Sequence, residues 1–174
     1  MFKEINILKV FFENPTKEFG VRELARIVNL APATASKELK RFSKNKLLKK
    51  RKERRTNLYS ANIEEDAYRD IKVYYNVRKI RDSGLIDKLN EFYLKPSVVM
   101  FGSAAHGMDT ETSDFDILII SERKNDFPEL EKFERKLNRK IQIFRVAKIK
   151  DLKNEHLINS VLNGIILQGE IKWI

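Results

Sequence analysis

Two short stretches of this chain have residue types and spacing that do chemistry together. Gly102-Ser103 follows an apolar run, Val98–Phe101. After ten intervening residues, Asp114 and Asp116 flank Phe115 at the mouth of a second apolar run, Ile117–Ile120. An unpaired carboxylate beside a core is costly, so the pair must face water or a counter-charge. Two positions apart on an extended segment, both acids point to one side. Two carboxylates converging there can hold Mg²⁺, which in turn binds triphosphate oxygens. Gly102 lets the backbone approach a ligand closely. Gly102 and Ser103 open a turn whose N–H groups suit phosphate oxygens. Ser113 is placed to fix the loop by a local hydrogen bond. Gly102, Ser103 and Ser113 are thus the candidate nucleotide-binding residues, and Asp114 and Asp116 the candidate catalytic and metal residues. The plain alternative is that the two acids only cap loops at a strand end.

A second kind of chemistry is written in the charge. The formal net charge is +10 over 174 residues. Residues 1–62 carry 16 Lys/Arg against 6 Asp/Glu, and residues 63–174 carry 19 of each. The whole excess therefore sits in the first third of the chain. A basic module joined to a neutral one implies two domains, with a polyanion as the partner of the first. The excess is densest from Lys37 to Arg55, with 11 basic residues and 2 acids.

The elements that must position these residues follow from periodicity. Ile5, Leu8 and Phe12 share a helical face that ends near Asn14-Pro15. Val21–Leu30 is a short second helix with Leu24, Ile27 and Val28 on one side. Pro32 suits the first turn of a third helix, although Ala31 is a poor N-cap. That helix buries Ala35, Leu39 and Phe42 and turns Ala33, Thr34, Ser36, Lys37, Lys40 and Arg41 outward. Leu47–Lys52 and Thr56–Ala61 read as two strands around the tip Glu53-Arg54-Arg55. On the stretch "VRELARIVNLAPATASKELKRFSKNKLLKKRKERRTNLYSAN", residues 2–62 resemble the winged helix-turn-helix domains of bacterial and archaeal transcription regulators. The resemblance implies double-stranded DNA as partner, although a winged helix can instead bind RNA or another protein. Thr34, Ser36, Lys37, Lys40 and Arg41 would come from the recognition helix, and Arg51, Lys52, Arg54 and Arg55 from the wing.

Residues 63–95 read as a helical linker of one or two helices. Its stripe is Ile71, Tyr74 or Tyr75, Ile80 and Leu85, interrupted at Ser83-Gly84. From residue 96 strands and helices alternate: strands at Val98–Phe101, Phe115–Ile120 and Ile141–Val146, helices at Pro128–Arg139 and Leu152–Asn163, and a short strand or turn at Ile165–Leu167. The motif "GSAAHGMDTETSDFDILI" resembles the minimal nucleotidyltransferases of the DNA polymerase beta superfamily, over roughly residues 85–171. The fold class is then α/β (α+β): an N-terminal winged helix-turn-helix, a linker, and a nucleotidyltransferase-like domain with a short mixed sheet flanked by helices. The resemblance implies transfer of a nucleoside monophosphate from an NTP to a hydroxyl, with Mg²⁺. Two positions depart from that family. His106 stands where an arginine is common, and Gln142, between Ile141 and Ile143, stands where a third carboxylate is usual. An amide brings neither charge nor basicity.

Three functions remain open on these residues. The first is a DNA-binding, transcription-regulating protein whose second domain binds NTP–Mg and transfers NMP weakly. The second is an active nucleotidyltransferase that modifies a small molecule or a protein acceptor, such as a toxin partner. The third is a non-catalytic module for binding or homodimerisation. Cysteine is absent, which excludes disulfides and thiolate sites. Two histidines cannot build a zinc site alone. No apolar run approaches the ~18 residues of a membrane span, and the N-terminus lacks secretory features. The expected location is the cytoplasm.

Overall fold

The computed structural model describes residues 3–172 and divides the chain into two compact units between Tyr75 and Asn76. Among the described residues there are seven α-helices and two sheets, a mixed α/β architecture.

In the first unit, α1 (Lys3–Glu13), α2 (Val21–Ile27) and α3 (Pro32–Lys44) pack with a three-stranded antiparallel sheet. Its strands are β1 (Phe19–Gly20), β2 (Leu48–Glu53) and β3 (Thr56–Ala61), in the order β1-β3-β2. Leu8 and Phe12 are buried as their spacing requires, together with Ile7 and Phe11. The side chain of Ile5 lies outside the described residues. Pro32 stands in the first turn of α3, and Ala31 gives no side-chain cap. Ala35, Leu39 and Phe42 are buried, so the opposite face of α3 looks outward. Helix α2 is shorter than its sequence pattern. It stops at Ile27 and Asn29 turns left-handed at φ 51°; Ile27 is 54% exposed rather than buried. The two-residue β1 carries no alternation, and sequence periodicity gave no sign of it.

Helix α4 (Asp66–Ser83) contributes to both cores. The stretch read as a linker is therefore core-forming. Tyr68 is buried and its hydroxyl donates to the Phe11 carbonyl at 3.1 Å. Tyr75, not Tyr74, faces the first core and donates to the Glu13 carboxylate. From Asn76 onward the helix belongs to the second unit, where Val77 and Ile80 join α5 (Leu85–Tyr93). Gly84, at φ +81°, makes the break between the helices that Ser83-Gly84 announces.

The second unit is built on a four-stranded mixed sheet. Its strands are β4 (Ser97–Phe101), β5 (Phe115–Ile120), β6 (Ile141–Val146) and β7 (Ile165–Gln168), in the order β6-β5-β4-β7. β5 and β6 run parallel, while β4 is antiparallel to both β5 and β7. Met100, Ile117 and Ile119 face a core shared with α5 and α6 (Leu130–Leu137). Val99 and Leu118 face a second core shared with α7 (Glu155–Leu162). Both faces of the central strands are covered, so they read as continuous apolar runs. Helix α7 begins three residues later than its apolar pattern, because Asn154 caps it by accepting from the Leu157 N–H at 3.0 Å.

Candidate functional site

β4 ends at Phe101 and the chain turns at Gly102, with φ +69° and ψ −157°. Only glycine adopts that combination readily. A second constraint acts at the same place. A Cβ built on Gly102 would stand 2.3 Å from Asp116 Oδ2. The Asp116 carboxylate therefore lies against the Gly102 backbone, brought there by the antiparallel pairing of Phe101 with Asp116. After Gly102 a single 3₁₀ turn, Ser103–His106, buries Ala104 and Ala105 and leaves Ser103 half-buried and His106 exposed.

Asp114 is exposed and Asp116 half-buried at the mouth of β5. Neither carboxylate takes part in a side-chain hydrogen bond or ion pair among the described residues. This arrangement leaves the strand-end capping alternative without a contact to support it. Burial pushes the Asp116 carboxyl above the ordinary carboxylate range, and the charge of Asp114 pushes it further. Two acids held this close, with no ion-pair partner in direct contact, would favour a bound cation. Hard oxygen donors with free coordination positions suit Mg²⁺, whose remaining ligands are water and phosphate oxygens. Among the described residues, no group of three or more His, Cys, Asp or Glu stands together as a metal site.

The parallel pairing of β5 and β6 sets Gln142 directly beside Asp116. Paired residues on neighbouring strands present their side chains to the same face. Gln142 is exposed there, between buried Ile141 and half-buried Ile143. The neutral amide thus neighbours the carboxylate pair. One step earlier, Lys140 donates to Glu134 at 2.8 Å. Glu134 first, and then more distant acids including Asp114, raise the Lys140 pKa. Glu134 also accepts from the Ile141 N–H at 3.1 Å, so this acid anchors the start of β6.

Ser113 serves the loop. Its hydroxyl accepts from the Thr110 N–H at 2.9 Å and lies 3.2 Å from the Thr110 hydroxyl. Three residues that sequence reasoning missed hold the same loop. Asp109 is fully buried, accepts from Asn76 Nδ2 at 2.9 Å and pairs with Arg139. Neither Asp109 nor Arg139 stands in a periodic pattern, and about thirty residues separate the partners. Only an acid amid small and hydroxyl residues between two apolar strands hinted at it.

On the first unit, Thr34, Lys37, Lys40 and Arg41 are exposed along α3, and Ser36 is half-buried. Arg51, Lys52, Arg54 and Arg55 are exposed on the β2–β3 hairpin, with Arg54 left-handed at φ 51° at its tip. These residues are not equivalent. Arg51 Nε donates to Glu18 at 2.8 Å, and its guanidinium also pairs with Glu53 at 3.0 Å. Arg41 pairs with Glu38 at 2.6 Å. Lys37, Lys40, Lys52, Arg54 and Arg55 enter no ion pair among the described residues. No described helix is long and apolar enough to cross a membrane.

Residues 82–167 match the family model of the nucleotidyltransferase domain. The match spans Gly102, both aspartates and Gln142, and it supports a nucleotidyltransferase fold for the second unit. No curated protein matches the chain.

Proposed function

We propose that this protein is a DNA-binding regulator whose nucleotidyltransferase domain binds a nucleoside triphosphate with one Mg²⁺ and transfers its nucleotide slowly or not at all. The observation that carries the reading is the Asp114–Asp116 couple, with Asp116 lying against Gly102 and paired across the sheet with neutral Gln142. Asp114 and Asp116 would hold the ion, and the Gly102-Ser103 turn would receive phosphate oxygens. The ion, when bound, neutralises triphosphate charge. The chain's own residues do the rest. Gly102 admits the phosphates at close range, and Ser113 keeps the loop that bears Asp114 in shape. Gln142 lacks the basicity to take a proton from an acceptor hydroxyl. A site so equipped binds better than it reacts. The first unit is read as a winged helix-turn-helix. Its support is the outward cationic face of α3 and the unpaired cations of the hairpin, a footprint suited to the phosphates of duplex DNA.

Calorimetry with ATP tests the core of this reading. Binding should appear with Mg²⁺, vanish in EDTA, and vanish in the Asp114→Asn/Asp116→Asn variant. Equal affinity with and without Mg²⁺ removes the cradle. Incubation with labelled NTPs, Mg²⁺ and cell extract separates binding from transfer. Turnover near 1 per second or faster, a rate ordinary for enzymes, would mean that Gln142 does not cripple the site.

A further inference from the structure

Asp109 is the one buried carboxylate among the described residues. It sits midway along the loop between Gly102 and Asp114, and its surroundings link both halves of the candidate site. Asn76 Nδ2 donates to Asp109 Oδ1 and also, at 3.1 Å, to the carbonyl of Ala104 in the Ser103–His106 turn. Arg139 reaches the loop from the other side. One guanidinium nitrogen pairs with Asp109 Oδ2 and the other donates to the Thr110 carbonyl at 3.2 Å. The guanidinium carbon lies 4.8 Å from the ring centre of Phe115, the residue between the two aspartates. The Arg139 side chain is 5% exposed. Three residues further on, β6 carries Gln142.

We propose that Arg139 is a positioning residue that sets Asp114 and Asp116 against the Gly102 turn for divalent-metal binding, acting through Asp109, Thr110 and Phe115. The inference rests on the reading of those aspartates as a metal cradle. Its physical basis is the planar, forked guanidinium. A single charge would suffice to neutralise Asp109. Holding Asp109, the Thr110 carbonyl and the Phe115 ring at once needs two donor arms and a flat face. The buried pair with Asp109 orients that fork, and Asn76 ties the same carboxylate to the phosphate-side turn. Residues that orient ligands in this way are a large share of a metal site's affinity.

Arg139→Lys is the discriminating substitution, because lysine keeps the charge but loses the fork. Mn²⁺ binding to the full-length protein is measured by electron paramagnetic resonance, and folding by circular dichroism and melting. The expected result is a folded variant whose Mn²⁺ affinity has fallen about 10–100-fold. A folded variant that melts lower yet binds Mn²⁺ as tightly as the parent shows a structural role alone and overturns the proposal. Should Arg139→Lys not fold, Asp109→Asn/Arg139→Gln decides in the same way. That pair removes both buried charges together, which proteins tolerate better than losing one. Absence of Mn²⁺ binding in the parent overturns the cradle itself and this inference with it. Parent binding that Asp116→Asn abolishes and the Arg139 variants leave unchanged overturns the positioning role alone.

Discussion

Gln142→Asp is the substitution whose consequences reach furthest. Gln142 and Asp116 are paired on parallel neighbouring strands, about 4.8 Å apart. The variant places a third carboxylate roughly 5 Å from Asp116. At that distance two like charges repel by about 3 kcal/mol at an effective dielectric of 20, and by under about 1 kcal/mol in water. Gln142 is exposed and Asp116 half-buried, so about 1–2 kcal/mol is the reasonable cost. In EDTA, the melting of a unit this size should fall by about 5–10 °C. Mg²⁺ should reverse the order, since a cation shared by three carboxylates converts the repulsion into binding. The Mg²⁺-induced rise should be larger in the variant than in the parent. Transfer of labelled nucleotide, or its release to water, should rise by about 10²–10⁴-fold if the missing base limits the rate. Scanning calorimetry in EDTA and in Mg²⁺ reads the first two effects, and a pyrophosphate-release assay reads the third. If the variant melts with the parent in EDTA and gains no more from Mg²⁺, position 142 does not share an ion site with Asp116. The account of the weakened site then fails.

Gly102→Ala should cost about 1–3 kcal/mol from backbone strain alone. It should lose further stability to the collision with Asp116, and the Gly102→Ala/Asp116→Ala double variant should recover that second part in thermal melts. The raised pKa of Asp116 fixes a pH dependence. Between the ordinary carboxylate range and its raised value, the folded protein keeps a proton that the unfolded chain has released. Metal-free stability should therefore fall as pH climbs through that window, and an Asp116→Asn variant melted over the same pH series should lack the slope. In DNA titrations at several salt concentrations, alanine at Lys52, Arg54 or Arg55 should each lower the log–log slope by about one. Arg51→Ala should lower it less, because Glu18 and Glu53 already hold that guanidinium; equal losses would refute the distinction. A fragment of residues 1–62 should lack a cooperative melt, since Tyr68, Ile71 and Tyr75 complete the first core. A fragment of residues 1–83 should melt cooperatively.

What the sequence disclosed was local. The carboxylate pair and its glycine turn were legible because strand alternation and loop spacing are short-range facts. Gln142 was legible for the same reason, as one polar side chain between two isoleucines in an apolar strand. The tie from Arg51 to Glu18 spans 33 positions and has no periodic signature. The buried Asp109–Arg139 pair spans 30, and in the sequence its members look like ordinary loop and helix-end charges. The reading of residues 63–95 anticipated one or two helices broken at Ser83-Gly84, as α4 and α5 are, but not that α4 turns apolar residues to two different cores at different points. A single stripe cannot describe it. The contact of Asp116 with Gly102 is set by strand pairing, which motif spacing alone does not reveal.

The exposed place of Gln142 on β6 has a consequence for heredity. A glutamine codon becomes a glutamate codon by one base change. At this surface position the exchange disturbs no packed neighbour. The neutral site and a fully acidic one are therefore adjacent points in sequence space, joined by a step whose cost is a repulsion of about 1–2 kcal/mol. On the proposed reading, one mutation would separate a site that lacks the third carboxylate from one that has it. On that reading, retention of the amide would favour a protein that holds a nucleotide over one that transfers it.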